Sequence, residues 1–304
     1  MKKAILLMAY GTPEKEEDIL PYYTHIRHGK KPTDDELNDL KARYRLIGSK
    51  SPLFQITSST AKKLVEQLRK KGKDVQVYIG MKHWHPYISE TFEKISSDGV
   101  TDLLAIALAP HYSKMSIGSY QESVKQANSE HENKVRVSFV DSWHLDSVFI
   151  DRWRERILKA CNDKFHSVKK NDIYFLFTAH SLPERILSWN DPYKNQLLET
   201  SNRLAKELDL AEGQYGFAFQ SAGHTSEPWL GPDILEKIPE VKNNGWSQVL
   251  IVPIGFVSDH LEILYDIDIE ARNLAQRLSI HLERTDSFND SDDFIEVLLS
   301  VAKV

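Results

Sequence analysis

Short runs of consecutive apolar residues alternate along the chain with longer segments in which apolar residues recur at helical spacing. A polar or glycine-containing turn follows each run. Uninterrupted apolar strands, in contrast to alternating ones, are typical of parallel sheets that helices cover on both faces. The pattern therefore predicts a doubly wound α/β fold. The predicted strands occupy residues 4–9, 75–79, 103–109, 135–140, 173–178, 215–219 and 248–254.

The two halves of the chain carry weakly similar segments in the same order. Residues 5–13 resemble 174–183, residues 77–86 resemble 216–228, and residues 103–113 resemble 249–260. A chain of 304 residues also has the length of two ordinary domains. We predict two similar α/β domains, at residues 1–150 and 151–304, and the terminal helix is a candidate to pack back on the first domain.

Composition narrows the functional classes. The formal net charge of −5 argues against a nucleic-acid partner, because nucleic-acid-binding domains carry a basic excess. The single cysteine, Cys161, allows neither an intramolecular disulfide nor an iron–sulfur cluster, and it favours the reducing cytoplasm. The longest apolar run, residues 249–257, is interrupted by Pro253 and Gly255, so no membrane span is expected.

Polar side chains follow most of the predicted strands, at the point where each strand ends. In open α/β sheets, ligands bind at this carboxyl edge. Two such domains facing each other would form a cleft lined from both sides. The residues in question are Tyr10, Lys82, His83, His111, His180, Gln220 and Asp259.

The segment AHSLPERI, at residues 179–186, holds the first candidate for chemistry. Ser181 and Glu184 have the spacing of a helix capping box, which favours a structural role for that pair. His180 instead lies at the predicted strand end, where its imidazole can point into the cleft. A structural and a functional role both remain open for it.

The segment GFVSDHLEILYDIDIE, at residues 255–270, holds a row of carboxylates. Glu262, Asp266 and Glu270 are spaced four residues apart, and no Lys or Arg lies between Asp259 and Ala271. Like charges at this spacing repel one another on a helix, so the row suggests a cation partner. Oxygen ligands suit Mg2+ and Ca2+, whereas imidazole combined with carboxylate suits Fe2+. A solvated acidic face, or a capping box between Asp259 and Glu262, explains the same residues without a metal.

A basic and aromatic cluster stands out in this otherwise acidic chain. It comprises Arg27, His28, Lys30, Lys31, Arg43, Tyr44 and Arg45. Solvated helix faces and the capture of an anionic ligand both explain it, since Arg binds carboxylates through two parallel hydrogen bonds. The sequence contains no phosphate-binding loop, dinucleotide fingerprint, nucleophile elbow or zinc-protease motif.

Seven motifs, in order and spread over almost the whole chain, resemble the ferrochelatase family. They are MAYGTP (8–13), SPL (51–53), GMKHWHP (80–86), LAPHYS (108–113), AHSLPERI (179–186), EPWLGP (227–232) and GFVSDHLEILYDIDIE (255–270). The sequence is most similar to the monomeric coproporphyrin III ferrochelatases of Gram-positive bacteria. The resemblance implies two Rossmann-like domains, each a parallel four-stranded sheet flanked by helices, with a porphyrin cleft between them. It also implies Fe2+ as a substrate and no iron–sulfur tail or membrane-binding extension.

The resemblance also assigns roles to individual residues. It implies an Fe2+ site at His180 and Glu262, on opposite walls of the cleft, and Tyr10 axial to the iron of the product. It implies Mg2+ or another cation at Asp266 and Glu270, with His83 beside them. The residues that would hold the macrocycle and its propionates are Tyr10, Arg27, Arg43, Tyr44, Ser51 and Tyr120.

The sequence departs from the family pattern at a few positions. Ala222 replaces the usual acidic residue of a Q-S-E-G-N-T segment, His224 replaces its Asn, and the usual cysteine and aromatic-proline motif is missing after Glu270. Three alternatives stay open: protoporphyrin IX as the porphyrin, another tetrapyrrole such as sirohydrochlorin with cobalt, and a carrier that performs no chemistry. A monomer is expected, with transient contacts to neighbouring heme-pathway enzymes or an iron donor.

Overall fold

The computed structural model describes residues 2–132, 134–223 and 226–303. The first half of the chain forms a four-stranded parallel sheet in the order β2-β1-β3-β4. Its central strand β1 is almost fully buried, as its uninterrupted apolar sequence predicts. The strands are β1 (Lys3–Ala9), β2 (Gln76–Met81), β3 (Asp102–Ala107) and β4 (Arg136–Val140).

The second half repeats this topology. Its parallel sheet has the order β6-β5-β7-β8, so each strand has a counterpart four strands earlier. The similar sequence segments fall on these counterpart strands, and the prediction of two parallel four-stranded sheets is confirmed. The strands are β5 (Tyr174–His180), β6 (Tyr215–Gln220), β7 (Gln248–Val252) and β8 (His281–Arg284).

Helices cover both sheets, and 3₁₀ turns lie at Glu16–Asp18, Lys170–Asp172 and Glu184–Trp189. One helix has an unusual interior, because Ile263–Ala271 is a π-helix that continues directly into α9. The α-helices of the first half are α1 (Ile19–Ile26), α2 (Asp34–Leu46), α3 (Leu53–Lys70), α4 (Ile88–Ser97) and α5 (Ile117–Glu130). Those that follow are α6 (Ser147–Lys164), α7 (Tyr193–Glu207), α8 (Ile234–Asn243), α9 (Arg272–Arg277) and α10 (Asp292–Val301).

The two halves share one large apolar core. The terminal helix α10 packs against α6 and also against α3, so it joins the last helix of the second half to the first half. Ser59 on α3 donates a hydrogen bond of 2.5 Å to Asp290, just before α10. Ser300 on α10 donates one of 2.8 Å to Asp146, which also caps α6. No helix in the described ranges is long and apolar enough to cross a bilayer.

Two local predictions are wrong. Ser181 does not cap a helix: its hydroxyl donates to the carbonyl of Leu230, and only a 3₁₀ turn begins at Glu184. Asp259 does not cap the helix of Glu262 either, because its carboxylate accepts hydrogen bonds from Ser287 and Asn289. In both segments, tertiary partners take the groups that a local cap would use.

Candidate active site

The carboxyl ends of the strands carry the predicted polar residues. Tyr10 directly follows β1, Lys82 and His83 directly follow β2, and His180 is the last residue of β5. Gly255, in the loop after β7, lies against the end of β5: a Cβ placed there would lie 2.5 Å from the Cβ of Ala179. Only glycine allows this approach, which brings the loop beside His180.

One ring nitrogen of His180 is committed to the backbone. Its Nδ1 lies within hydrogen-bonding distance of the carbonyl of Ser181, which can only accept. Nδ1 therefore carries a proton, and in the neutral ring Nε2 carries the lone pair. Nε2 lies 3.5 Å from Oε1 of Glu262. The backbone thus selects the tautomer that suits proton acceptance or metal binding.

Glu262 lies between two imidazoles. Its second carboxylate oxygen lies 3.3 Å from Nε2 of His260, whose Nδ1 is 2.9 Å from the carbonyl of Ser258. Sequence reasoning missed His260 as a site residue. Its position in the sequence could have indicated this role, because His260 lies two residues before Glu262, in the loop that leads into the same helix.

The charges of this cluster shift the protonation of its members. Burial opposes the charged ring of His180, but the Glu262 carboxylate outweighs burial and raises the pKa of His180 to about 9. Burial likewise opposes the Glu262 carboxylate, yet His180 and His260 together hold the pKa of Glu262 well below its usual range. At neutral pH the two side chains form an imidazolium–carboxylate pair.

The placement of His180 and Glu262 on opposite walls is wrong. A macrocycle between two contacting atoms requires about twice an ordinary contact distance, or ~7 Å. The observed separation of 3.5 Å leaves no such space. Both residues also come from the second half, one from β5 and one from the helix after β7. They therefore lie side by side within the second half of the chain.

Tyr10 belongs to a different group, contributed by the first half. Its ring packs on that of His83, with centroids 4.5 Å apart, and the Nδ1 atoms of His83 and His25 are 3.1 Å apart. Burial, followed by repulsion from the Glu262 carboxylate, raises the pKa of Tyr10 above its usual value. The Tyr10 side chain is nevertheless 43% exposed, so it remains open to a ligand.

A groove of about 1040 Å³ lies next to this group, between α1, the start of α4 and the C-terminal half of α5. Ligand pockets commonly measure roughly 300–1,000 Å³, so the groove has the size of a large ligand site. His25, Lys82 and His83 line it, together with apolar residues such as Leu20 and Met81. Burial lowers the pKa of Lys82 to about 8, and its ammonium lies 5.4 Å from the centre of the Tyr120 ring.

The carboxylates beyond Glu262 differ in environment. Asp266 is buried and accepts a hydrogen bond from Ser221. Burial, and then repulsion from Glu262, raise the pKa of Asp266 to about 7. Arg43 of the first half lies over the ring of Tyr265, 4.9 Å from its centre, so α2 reaches the π-helix at this point.

The structure does not gather the predicted outer cation ligands around one point. His83 is hydrogen-bonded to His25, and Asp266 to Ser221. Within residues 2–132, 134–223 and 226–303, no three His, Cys, Asp or Glu side chains converge closely enough to hold a metal ion. The outer site at Asp266, Glu270 and His83 stays a prediction.

The predicted porphyrin-holding residues have protein partners in this structure. Arg27 pairs with Glu36 at 2.7 Å, and Arg43 pairs with Asp39 at 2.9 Å. The hydroxyl of Tyr44 lies 3.2 Å from that of Thr12. Tyr44, Ser51 and Tyr120 are buried, so contact between these residues and a ligand stays a prediction.

The variant segment after β6 is only partly described. Ala222 lies beside Ser221, which has a φ of +61° and donates its hydroxyl to Asp266. His224, the other departure from the family pattern, lies outside the described residues.

Comparison with solved structures places the fold among the chelatases. SirB from Bacillus subtilis with Fe3+ superposes with a TM-score of 0.64 at 15% identity, covering 100% of this chain and 95% of SirB. The cobalt complex of the sirohydrochlorin chelatase SirB from Bacillus subtilis subspecies spizizenii gives a TM-score of 0.61 at 13% identity, over 100% of this chain and 94% of that one. At these identities the likeness shows the fold alone.

Sequence comparison is more specific. A ferrochelatase of Herpetosiphon aurantiacus is 43% identical over 99% of this chain and 98% of its own length. The coproporphyrin III ferrochelatase of Geobacillus thermodenitrificans is 41% identical over 98% of this chain and 94% of its own. That of Oceanobacillus iheyensis is 41% identical over 99% and 96%. The sequence model of the ferrochelatase family matches residues 2–303, and the chain therefore belongs to the ferrochelatases, enzymes that insert iron into porphyrins.

Proposed function

We propose that this ferrochelatase inserts Fe2+ into coproporphyrin III, giving iron coproporphyrin III and releasing two protons. The observation that carries the proposal is the His180–Glu262 pair: an imidazole with Nδ1 committed to the backbone and Nε2 3.5 Å from a carboxylate. Metal insertion needs a group that accepts pyrrole protons and one that compensates the charge of the entering cation. The pair supplies both groups at one point.

The charges of the pair favour an exchange of a proton for a cation. His180 holds its proton because the Glu262 carboxylate lies beside it. A cation bound by Glu262 neutralises that carboxylate and so removes the reason for the raised pKa of His180. His180 then releases its proton to solvent water, and its single Nε2 lone pair becomes available. Because one lone pair cannot hold a proton and a metal ion together, the roles of base and ligand follow one another in time.

Substrate choice rests on charge. Coproporphyrin carries four propionates, and Arg27 and Arg43 lie on the first half as candidate partners for carboxylates. Each arginine already pairs with a carboxylate of α2, so a propionate can replace Glu36 or Asp39 without leaving a guanidinium unpaired. The relatives named coproporphyrin III ferrochelatases, which are about 40% identical along nearly the whole chain, support the same substrate.

Tyr10 completes the proposal from the first half. Its exposed ring provides a phenol oxygen to the iron of the product, from the face opposite the His180–Glu262 pair. Asp266 and Glu270 form the proposed outer cation site, which can hold Mg2+. Iron is a substrate in this scheme and not a resident cofactor.

The substrate is tested by comparing coproporphyrin III with protoporphyrin IX. Purified protein receives Fe2+ under anaerobic conditions, and absorbance follows loss of the free porphyrin. We expect a higher kcat/KM for coproporphyrin III by at least about tenfold, because each propionate that pairs with a cation adds binding energy. Equal or better turnover of protoporphyrin IX contradicts coproporphyrin III as the substrate and leaves iron insertion intact.

A further inference from the structure

Asp191 is a buried carboxylate that lies between the two halves. Its side chain is only 8% exposed, and it accepts hydrogen bonds from the Ser113 hydroxyl at 3.0 Å and the Lys114 backbone amide at 2.8 Å. Both donors belong to the loop after β3 of the first half. A buried carboxylate is costly unless donors surround it, so this loop has a fixed position relative to Asp191.

The other carboxylate oxygen of Asp191 faces the second half. It accepts a hydrogen bond of 3.0 Å from the backbone amide of Tyr193, the first residue of α7. The Tyr193 side chain is 7% exposed, and its hydroxyl donates a hydrogen bond of 2.9 Å to the carbonyl of His180. Asp191 and Tyr193 thus connect the loop after β3 to His180, at the end of β5.

The carbonyl that Tyr193 holds belongs to the peptide group that joins His180 to Ser181. The amide of that peptide donates to Gln220 at 2.7 Å, and the following carbonyl, that of Ser181, accepts from Nδ1 of His180. A rotation of this peptide moves the acceptor that selects the tautomer and direction of the imidazole. The hydroxyl of Tyr193 opposes that rotation.

We propose that Asp191 is a positioning residue which, through Tyr193, fixes the backbone of His180 relative to the first half of the chain. The proposal rests on the role of His180 given above. Asp191 touches neither the metal ion nor the porphyrin. It aligns the His180–Glu262 pair with the Tyr10 side of the cleft, so that the proton acceptor faces the pyrrole nitrogens.

Two variants test this proposal. Asp191→Asn keeps the size of the side chain but turns one acceptor into a donor, and Tyr193→Phe removes only the hydroxyl that reaches His180. Misplacement of a catalytic group by about 1 Å costs up to ~100-fold in rate. We expect both variants to lower kcat for iron insertion by about ten- to a hundredfold, with KM for coproporphyrin III within about twofold of the original.

Glu199→Gln is the matched control. Glu199 lies on the same helix and pairs across the same interface with His144 at 2.8 Å, but it has no connection to His180. We expect its kcat to stay unchanged. The nitrogen resonances of the His180 imidazole, assigned by their loss in His180→Ala, give a direct readout and should shift in both test variants and not in the control.

The outcomes separate this proposal from the proposed function. Unchanged kcat in folded Tyr193→Phe, or a lower kcat with unmoved His180 resonances, overturns the positioning role of Asp191. Full activity of His180→Ala overturns the role of His180 itself. If Asp191→Asn does not fold, Tyr193→Phe decides, because it leaves the buried ring in place.

Discussion

A backbone contact decides what the His180 side chain can do. The Ser181 carbonyl accepts a hydrogen bond from Nδ1–H, which leaves Nε2 as the ring nitrogen available for chemistry. Sequence reasoning identified His180 and Glu262 because both lie near the ends of strands and within motifs of the family. It missed His260, and it could not identify the wall on which the pair lies, because that depends on how the loop after β7 folds over Ala179.

Because the Glu262 carboxylate raises the pKa of His180, replacing Glu262 should change how His180 titrates. Glu262→Gln removes the carboxylate that keeps His180 protonated, while burial of the ring remains. We expect the pKa of His180 to fall from about 9 to below its usual value of about 6.5, as measured by NMR titration. Glu199→Gln removes a carboxylate that pairs with a different histidine, and it should leave the titration of His180 unchanged. A pKa near 9 in Glu262→Gln would exclude Glu262 as the cause.

The same pair makes stability depend on pH. The raised pKa of His180 contributes stability below its unfolded value of about 6.5, and this contribution is lost as the pH rises through about 9. The lowered pKa of Glu262 contributes above its unfolded value of about 4.5 and is lost as the pH falls. Together they stabilise the metal-free protein most between about pH 4.5 and pH 6.5, where both contributions are present in full. Thermal unfolding should therefore show a larger decline between about pH 6.5 and pH 9 for the original protein than for Glu262→Gln.

Tyr10 gives a further prediction at the level of one residue. Tyr10→Met replaces a phenol oxygen by a thioether, a weaker and softer ligand. If Tyr10 binds the iron of the product, the absorption spectrum of the bound iron porphyrin changes. Tyr87→Phe is a suitable control, since the ring of Tyr87 packs on that of His25, with centres 5.1 Å apart. An identical spectrum in Tyr10→Met would remove Tyr10 from the coordination of the iron.

At the level of secondary structure, the site depends on where strands end and what packs on them. Seven strands were predictable because most of their residues are apolar. The eighth, His281–Arg284, was missed because this short edge strand contains a single apolar residue, Leu282. The π-helix was missed for a different reason: a spacing of four residues brings side chains to one face of an α-helix, and nothing in that spacing distinguishes the wider winding.

Gly255 provides the test of this packing. A Cβ at this position would lie 2.9 Å from the backbone of Ala179, so Gly255→Ala must displace either the loop or the end of β5. We expect a loss of about 1–3 kcal/mol in the free energy of unfolding, together with lower kcat. Gly118→Ala, in α5, should be almost neutral, since its Cβ would meet a side-chain oxygen at 3.1 Å and alanine favours helices. Equal effects of the two substitutions would contradict the close approach at Gly255.

At the level of the whole molecule, the two halves are joined by more than the chain between them. The α10 helix packs on α3 and α6, and Phe294 contacts Phe288 and Trp143, with ring centroids 5.5 and 6.4 Å away. The repeated sheet topology followed from sequence similarity between the halves. The contacts between them did not, because they involve distant residues whose pairing no local pattern records.

Phe294 tests this connection. The side chain is fully buried, so Phe294→Ala leaves a cavity and should cost about 3–5 kcal/mol in the free energy of unfolding, measured with denaturant. Leu235→Ala, on α8, removes a side chain that is 38% exposed and should cost less than about 1 kcal/mol. A small loss in Phe294→Ala would mean that α10 contributes little to holding the halves together.

The most direct test of the central claim is iron insertion by His180→Ala. The variant and the original protein are each mixed anaerobically with Fe2+ and coproporphyrin III, and absorbance follows the reaction, while fluorescence quenching measures porphyrin binding. We expect porphyrin binding within about twofold of the original and a fall in kcat of at least about a hundredfold, the usual contribution of a positioned proton acceptor. Turnover at the original rate by the folded variant would contradict it.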